Sequence, residues 1–119
     1  ISQDMHIVAE DIRSVRRFIS KLKIGINIEL LHITTLDKDT SLQDLQAVQQ
    51  HLLSGGTAGV FSEAGCPGIA DPGNILVKWA HQNQISVIPL VGPSSILLTL
   101  MASGLNGQQF TFHGYLPID

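Results

Sequence analysis

The chain has 119 residues, 44% hydrophobic and 14% charged, with a formal net charge of -3. This is enough for one domain with a packed core, and it excludes a disordered polyelectrolyte. No apolar run reaches the ~18–20 residues of a membrane span, no signal-peptide pattern is seen, and the single cysteine permits no internal disulfide, so a reducing, cytoplasmic setting without membrane is expected.

In chain order, Met5 to Ala9 reads as a short buried strand. A helix follows over about 11–22, with Ile12, Val15, Phe18, Ile19 and Leu22 on one face. Arg13, Arg16, Arg17, Lys21 and Lys23 fill its other side; a solvated face explains them, and an RNA contact is the alternative. Gly25 ends this unit, and Ile26 to Ile33 is expected as a second strand. Ser41 reads as a helix cap paired with Asp44, ahead of a stripe of Leu42, Leu45, Val48 and Leu52. Ser54-Gly55-Gly56 stops that helix.

Ala58 to Phe61 is the next strand, and a loop of small residues follows it. The loop runs to Asp71-Pro72, read as an N-cap and first helical residue. That helix is expected to bury Ile75, Leu76, Trp79 and Ala80 and to end near Asn83. Ile85 to Leu90 has the unalternated β-branched pattern of a fully buried parallel strand. Val91-Gly92-Pro93-Ser94-Ser95 is a second strand-to-helix turn, with a helix from Pro93 that Gly104 closes. Phe110 to His113 is expected as the last strand. Alternating strands and helices predict an α/β fold with a mostly parallel sheet flanked by helices.

Strand, glycine-containing loop and helix is how open α/β sheets build ligand sites, but a plain crossover fits 58–73 as well. Other chemistries are weaker. The five histidines are scattered without metal-ligand spacing, so no metal is expected. Cys66 has no identifiable base beside it and reads more simply as a small loop filler. Ser94-Ser95 lacks the Gly-x-Ser-x-Gly elbow, and neither Gly-x-x-x-x-Gly-Lys-Ser/Thr nor Gly-x-Gly-x-x-Gly is present. Glu10, Asp11 and Glu63 are acids at strand ends, either ligand-binding or capping.

Several segments together carry a family resemblance: Ser62-Glu63-Ala64-Gly65-Cys66-Pro67, Asp71-Pro72-Gly73, Pro89 to Ser95, Ala102-Ser103-Gly104-Leu105 and Phe110 to Pro117. From about Val8 to Pro117 the chain resembles the tetrapyrrole methylase-fold family of S-adenosylmethionine-dependent methyltransferases. Within it, it is most like the ribosomal RNA small subunit methyltransferase I group, whose Glu-Asp-Thr-Arg segment Glu10-Asp11-Ile12-Arg13 resembles.

The resemblance implies a two-domain enzyme with the methyl donor in the cleft between domains. Residues 1–119 resemble the N-terminal domain without its first strand, and without the C-terminal domain, so this piece alone is expected to be inactive. Ser62, Glu63, Ala64, Gly65, Cys66 and Pro67 would line the donor pocket. Ser94 and Ser95 would join from the second turn, and His113, Gly114, Tyr115 and Leu116 would lie near the hinge. No protein nucleophile is implied; Glu63 and Asp11 are the candidates for a catalytic base. The implied reaction is ribose 2′-O-methylation of ribosomal RNA by a cytoplasmic homodimer.

The chain departs from the group's pattern at Glu63 (usually Asp), at Cys66 (usually Thr) and in lacking its His-Asn-Glu segment. The implied donor therefore carries over better than the substrate. A non-catalytic S-adenosylmethionine-binding module and a methylase of a small molecule are the alternatives.

Overall fold

The computed structural model describes residues 1–118, and Asp119 lies outside the described residues. Three parallel strands form the sheet: β1 (His6–Ala9), β2 (Ile33–Thr35) and β3 (Ala58–Phe61), in the order β2-β1-β3. Ile7 sits opposite Ile33 on one side and Gly59 on the other. Four helices connect and follow the strands: α1 (Ile12–Leu22), α2 (Gln46–Leu53), α3 (Asn74–Gln82) and α4 (Ser95–Ser103).

The period-2 alternation of β1 sends its side chains to two different layers. Ile7 and Ala9 pack with Val15 and Ile19 of α1 and with Leu31. Val8 packs on the other face with Leu36, Leu45, Val48 of α2 and Leu76 of α3. The central strand is therefore covered by α1 on one side and by α2 and α3 on the other. Two successive crossovers produce this layering: the first, through α1, places β2 on one side of β1, and the second, through α2, runs back past β1 and places β3 on the other. The strand order thus reverses between β1 and β3, and open α/β sheets bind ligands in the crevice beyond the carboxyl ends of such a pair.

Local chemistry sets the helix limits. Asp11 caps α1, its Oδ1 accepting from the Ser14 N–H at 2.9 Å, and Lys23 ends the helix in the left-handed conformation. Ser41 and Asp44 do form the expected reciprocal pair, with Ser41 N–H donating to Asp44 Oδ2 at 2.8 Å. They cap a turn, however, and regular helix starts only at Gln46. Asp71 is not the cap of α3; Gly73 takes that place at φ +142°, and Asn74 begins the helix. The fold back at Gly73 brings its backbone so near Gly68 N that an added Cβ would lie at 3.2 Å. The second turn behaves as its hydroxyls suggest, with Ser94 capping α4 by accepting from Leu97 N–H.

Three expected strands differ from the structure. Residues 26–33 split into a 3-10 turn at Ile28–Leu30 and the start of β2, because Asn27 caps the turn by accepting from Glu29 N–H. Neither 85–90 nor 110–113 joins the sheet. An apolar β-branched run becomes a strand only where a neighbour takes its N–H and C=O groups, and the sheet ends at β3. Ile88, Leu90 and Val91 stand exposed as a result. The radius of gyration, 16.2 Å, exceeds the ~13.5 Å of a compact chain of this length. On α1, Val15 and Ile19 are buried as expected, whereas Phe18 and Leu22 are about half exposed.

At the amino ends of the strands the fold gathers three histidines that are scattered in sequence. His6 is buried, and its ring centroid lies 6.2 Å from that of His32 and 5.7 Å from that of His51. Its Nε2 is 2.6 Å from Thr34 Oγ1. Among the described residues no such group is arranged to hold a metal ion. Burial first, and then the neighbouring His51 and His32, hold the His6 pKa below its usual 6.5. The folded state therefore prefers neutral His6, while the unfolded chain takes up its proton near pH 6.5. Stability from this group is complete above pH 6.5 and falls as the pH drops below it. Urea titrations at pH 7.5 and 5.5 should show a lower midpoint at 5.5, and His6→Gln should shrink that difference. An equal difference in the variant would remove His6 as its cause.

Candidate functional site

The crevice at the carboxyl ends of β1 and β3 is built by the residues that follow each strand. Glu10 and Asp11 leave β1; Ser62 and Glu63 leave β3; Leu36 and Asp37 leave β2. A recess opens there between α1 and the loop after β3, lined by Ser14, Val15, Phe18, Phe61, Ser62 and Glu63. The Phe18 and Phe61 rings form its apolar wall, tilted by 58° with centroids 6.2 Å apart.

The loop after β3 is held by its own backbone. Ser62 Oγ donates to Gly65 O at 3.2 Å, Ile69 N–H donates to Cys66 O at 3.1 Å, and Gly68 N–H donates to Pro72 O at 3.3 Å. Gly65 sits at φ +70°, in the left-handed region that a Cβ disfavours, and an added Cβ there would meet nothing within 4 Å. The loop therefore presents bare backbone to open space. Cys66 has a structural task that its neighbours in sequence do not announce: its Sγ–H donates to Pro93 O at 3.4 Å. That contact ties the loop after β3 to the turn ahead of α4. Ser62 to Pro67 and Ser94–Ser95 are thus brought to one edge of the molecule.

The other expected site residues are not joined to this edge. His113, Gly114, Tyr115 and Leu116 are exposed, in a stretch with neither strand nor helix. Among the described residues no hydrogen bond links them to the 62–67 loop.

The electrostatics separate the acids. Asp11 is engaged as the cap of α1, and the Ser14 N–H, with Arg13 at 3.9 Å, holds its carboxyl below the usual range. A carboxylate so stabilised is a weaker proton acceptor. Glu10 behaves oppositely. Burial first, then the negative charges of Asp71, Glu63 and Asp37, raise its pKa. Asp71, Glu63 and Asp37 come from separate stretches of chain, and their charges are felt together at Glu10. Such a cluster suits a cationic ligand, which would relieve the repulsion. Glu10 was not among the expected base candidates; its place just past the central strand was the available signal.

No family model matches the chain. Curated relatives do. The chain is 38% identical over 111 residues to ribosomal RNA small subunit methyltransferase I of Xylella fastidiosa, covering 93% of the chain and 39% of that protein. It is 36% identical over 116 residues to the protein of that name from Vibrio cholerae, covering 98% of the chain and 38% of that protein. The protein of that name from Streptococcus pyogenes is 37% identical over 112 residues, with 93% and 37% covered. The chain spans about two-fifths of the length of the relatives it matches. The aligned stretch takes in β1, the loop after β3 and the turn ahead of α4, and by it the chain is a homologue of the ribosomal RNA small subunit methyltransferase I proteins.

Proposed function

We propose that the full-length protein is an S-adenosylmethionine-dependent methyltransferase of ribosomal RNA, acting on a ribose 2′-hydroxyl. The observation that carries this reading is identity of 36% over 98% of the chain to ribosomal RNA small subunit methyltransferase I of Vibrio cholerae. The site supports it: bare backbone at Gly65 suits close approach of a nucleoside, and the acids around Glu10 suit a sulfonium and an ammonium group. When bound, the donor supplies an electrophilic methyl group on positively charged sulfur.

The work of the chain is then to position and to hold charge. The 62–67 loop and the Ser94–Ser95 turn cradle the donor, and the recess beside Phe18 and Phe61 orients the acceptor. Held there, the donor would supply its methyl group to the hydroxyl oxygen and leave as a neutral thioether that keeps the carbon–sulfur electron pair. The hydroxyl proton would leave to a carboxylate, for which Glu10 and Glu63 are the candidates; Asp11 is occupied as the cap of α1. The exposed apolar run at 87–91 supports its being covered by further polypeptide of the same protein. A cytoplasmic homodimer remains part of the proposal.

The test is transfer of labelled methyl from the donor to small-subunit RNA taken from a strain lacking the gene. Label recovered on ribose after complete nuclease digestion is the expected result. Label on a base would correct the acceptor. Donor binding with transfer to no RNA pool would favour the non-catalytic module instead.

A further inference from the structure

The chain has seven lysines and arginines, and five of them lie within residues 13–23. The rest of the sequence carries only Lys38 and Lys78 against ten acids. Within α1, Arg13, Arg17 and Lys21 recur every fourth residue, so they share one face. All three are exposed, and at 1.5 Å per residue they span about 12 Å along the helix. Little neutralises them. Among the described residues the one ion pair is Arg13 with Asp11, at 3.9 Å, and the Arg16 Nε is buried without a hydrogen-bond partner.

The neighbouring strip of the same helix, one residue further round, carries Ser14 and Phe18, which line the recess at the carboxyl edge. Phe18 is 48% exposed and leans on Phe61. A row of exposed cations running up to an exposed aromatic wall beside a crevice is how proteins hold single-stranded nucleic acid. The cations track phosphates, and the ring stacks a base. A merely solvated helix face in an acidic chain has no need to collect the cations in one row, nor to leave an aromatic ring beside them.

We propose that α1 is the guide for the RNA substrate. Arg13, Arg17 and Lys21 contact successive phosphates of a single-stranded segment, and Phe18 stacks the base next to the nucleotide entering the recess. This rests on the methyltransferase reading for the nature of the polyanion, but it concerns a surface distinct from the donor loop.

The experiment uses the full-length protein and a fluorescein-labelled 20-nucleotide single-stranded RNA, with anisotropy read from 50 to 200 mM salt. Each phosphate contact contributes about 0.7 to the slope of log affinity against log salt on a single strand. The variant Arg13→Gln/Arg17→Gln/Lys21→Gln should therefore flatten the slope by about 2 and weaken binding more than tenfold at 100 mM salt. Phe18→Ala should weaken binding about tenfold while leaving the slope unchanged. Lys38→Gln/Lys78→Gln removes two exposed cations elsewhere and should change neither. All the altered side chains are exposed and none belongs to the buried core, so the variants keep it.

Several results would overturn the proposal: wild type that does not bind the RNA, an unchanged slope in the triple variant, or a control pair that flattens the slope as much per charge. Polyglutamate competing as well as RNA at equal charge would assign the face to an acidic protein and also overturn it. Calorimetric titration of S-adenosylhomocysteine into the same proteins reads the donor site separately. Failure there strikes the methyltransferase reading, and RNA binding that fails while it succeeds strikes only the guide helix.

Discussion

Gly65→Val is expected to lower the affinity of the full-length protein for S-adenosylhomocysteine by about 100-fold, a loss of ~3 kcal/mol. Gly65 stands at φ +70° at the crest of the loop after β3. A β-branched residue there is forced towards another backbone conformation, at a cost of about 1–2 kcal/mol. Its methyl groups would also enter the open space over the loop, which the proposed donor needs. The control is Gly25→Val. Gly25 has φ +77° and likewise nothing within 4 Å of an added Cβ, so the backbone penalty is of the same kind. It follows α1 and has no part in the crevice. Calorimetry on both variants separates strain from site. Equal affinity in Gly65→Val and wild type would take the donor away from this loop.

Ile7→Ala is expected to destabilise the fold by about 2–5 kcal/mol, a large part of the 5–15 kcal/mol typical of a domain. Ile7 is fully buried on the central strand and packs with Ala9, Val15, Ile19 and Leu31. Removing its outer carbons leaves a void between the sheet and α1 that neither can close, because β1 is hydrogen-bonded on both sides. Urea denaturation followed by far-ultraviolet circular dichroism should show a lower midpoint with little change in slope. Leu98→Ala is the comparison: Leu98 is 56% exposed on α4 and should cost far less. Similar midpoints for the two variants would contradict the core assignment.

Much of the fold could be read before the structure, where a local pattern and a local partner coincide. The apolar run at 5–9, the period of Val15 and Ile19, the Ser41–Asp44 pair and the hydroxyl of Ser94 each carry their structural reason within a few residues. The order of segments around 62–67 and 92–95 likewise pointed to the methyltransferase relatives that the comparisons contain.

What local sequence could not decide depends on partners far along the chain. The run 85–90 has the composition of a buried strand, but pairing is a property of two segments, and no strand takes its hydrogen bonds here. Asp71-Pro72 has the chemistry of a helix start, yet the approach of Gly73 to Gly68 moves the start to Asn74. Distance in sequence also hid the interactions that give the edges their chemistry. The parallel register of β1, β2 and β3 brings Glu10, Glu63 and Asp37 to one edge, where burial first, then Asp71, Glu63 and Asp37, raise the Glu10 pKa. At the other end of the strands, pairing with β2 and packing of α2 gather His6, His32 and His51, and burial first, then those two neighbours, lower the His6 pKa. Composition and pattern determined that this chain is an α/β fold with a parallel sheet and glycine-containing turns at 62–68 and 91–95. Tertiary structure decided which acids share a crevice, because Coulomb energy follows distance through space rather than along the chain.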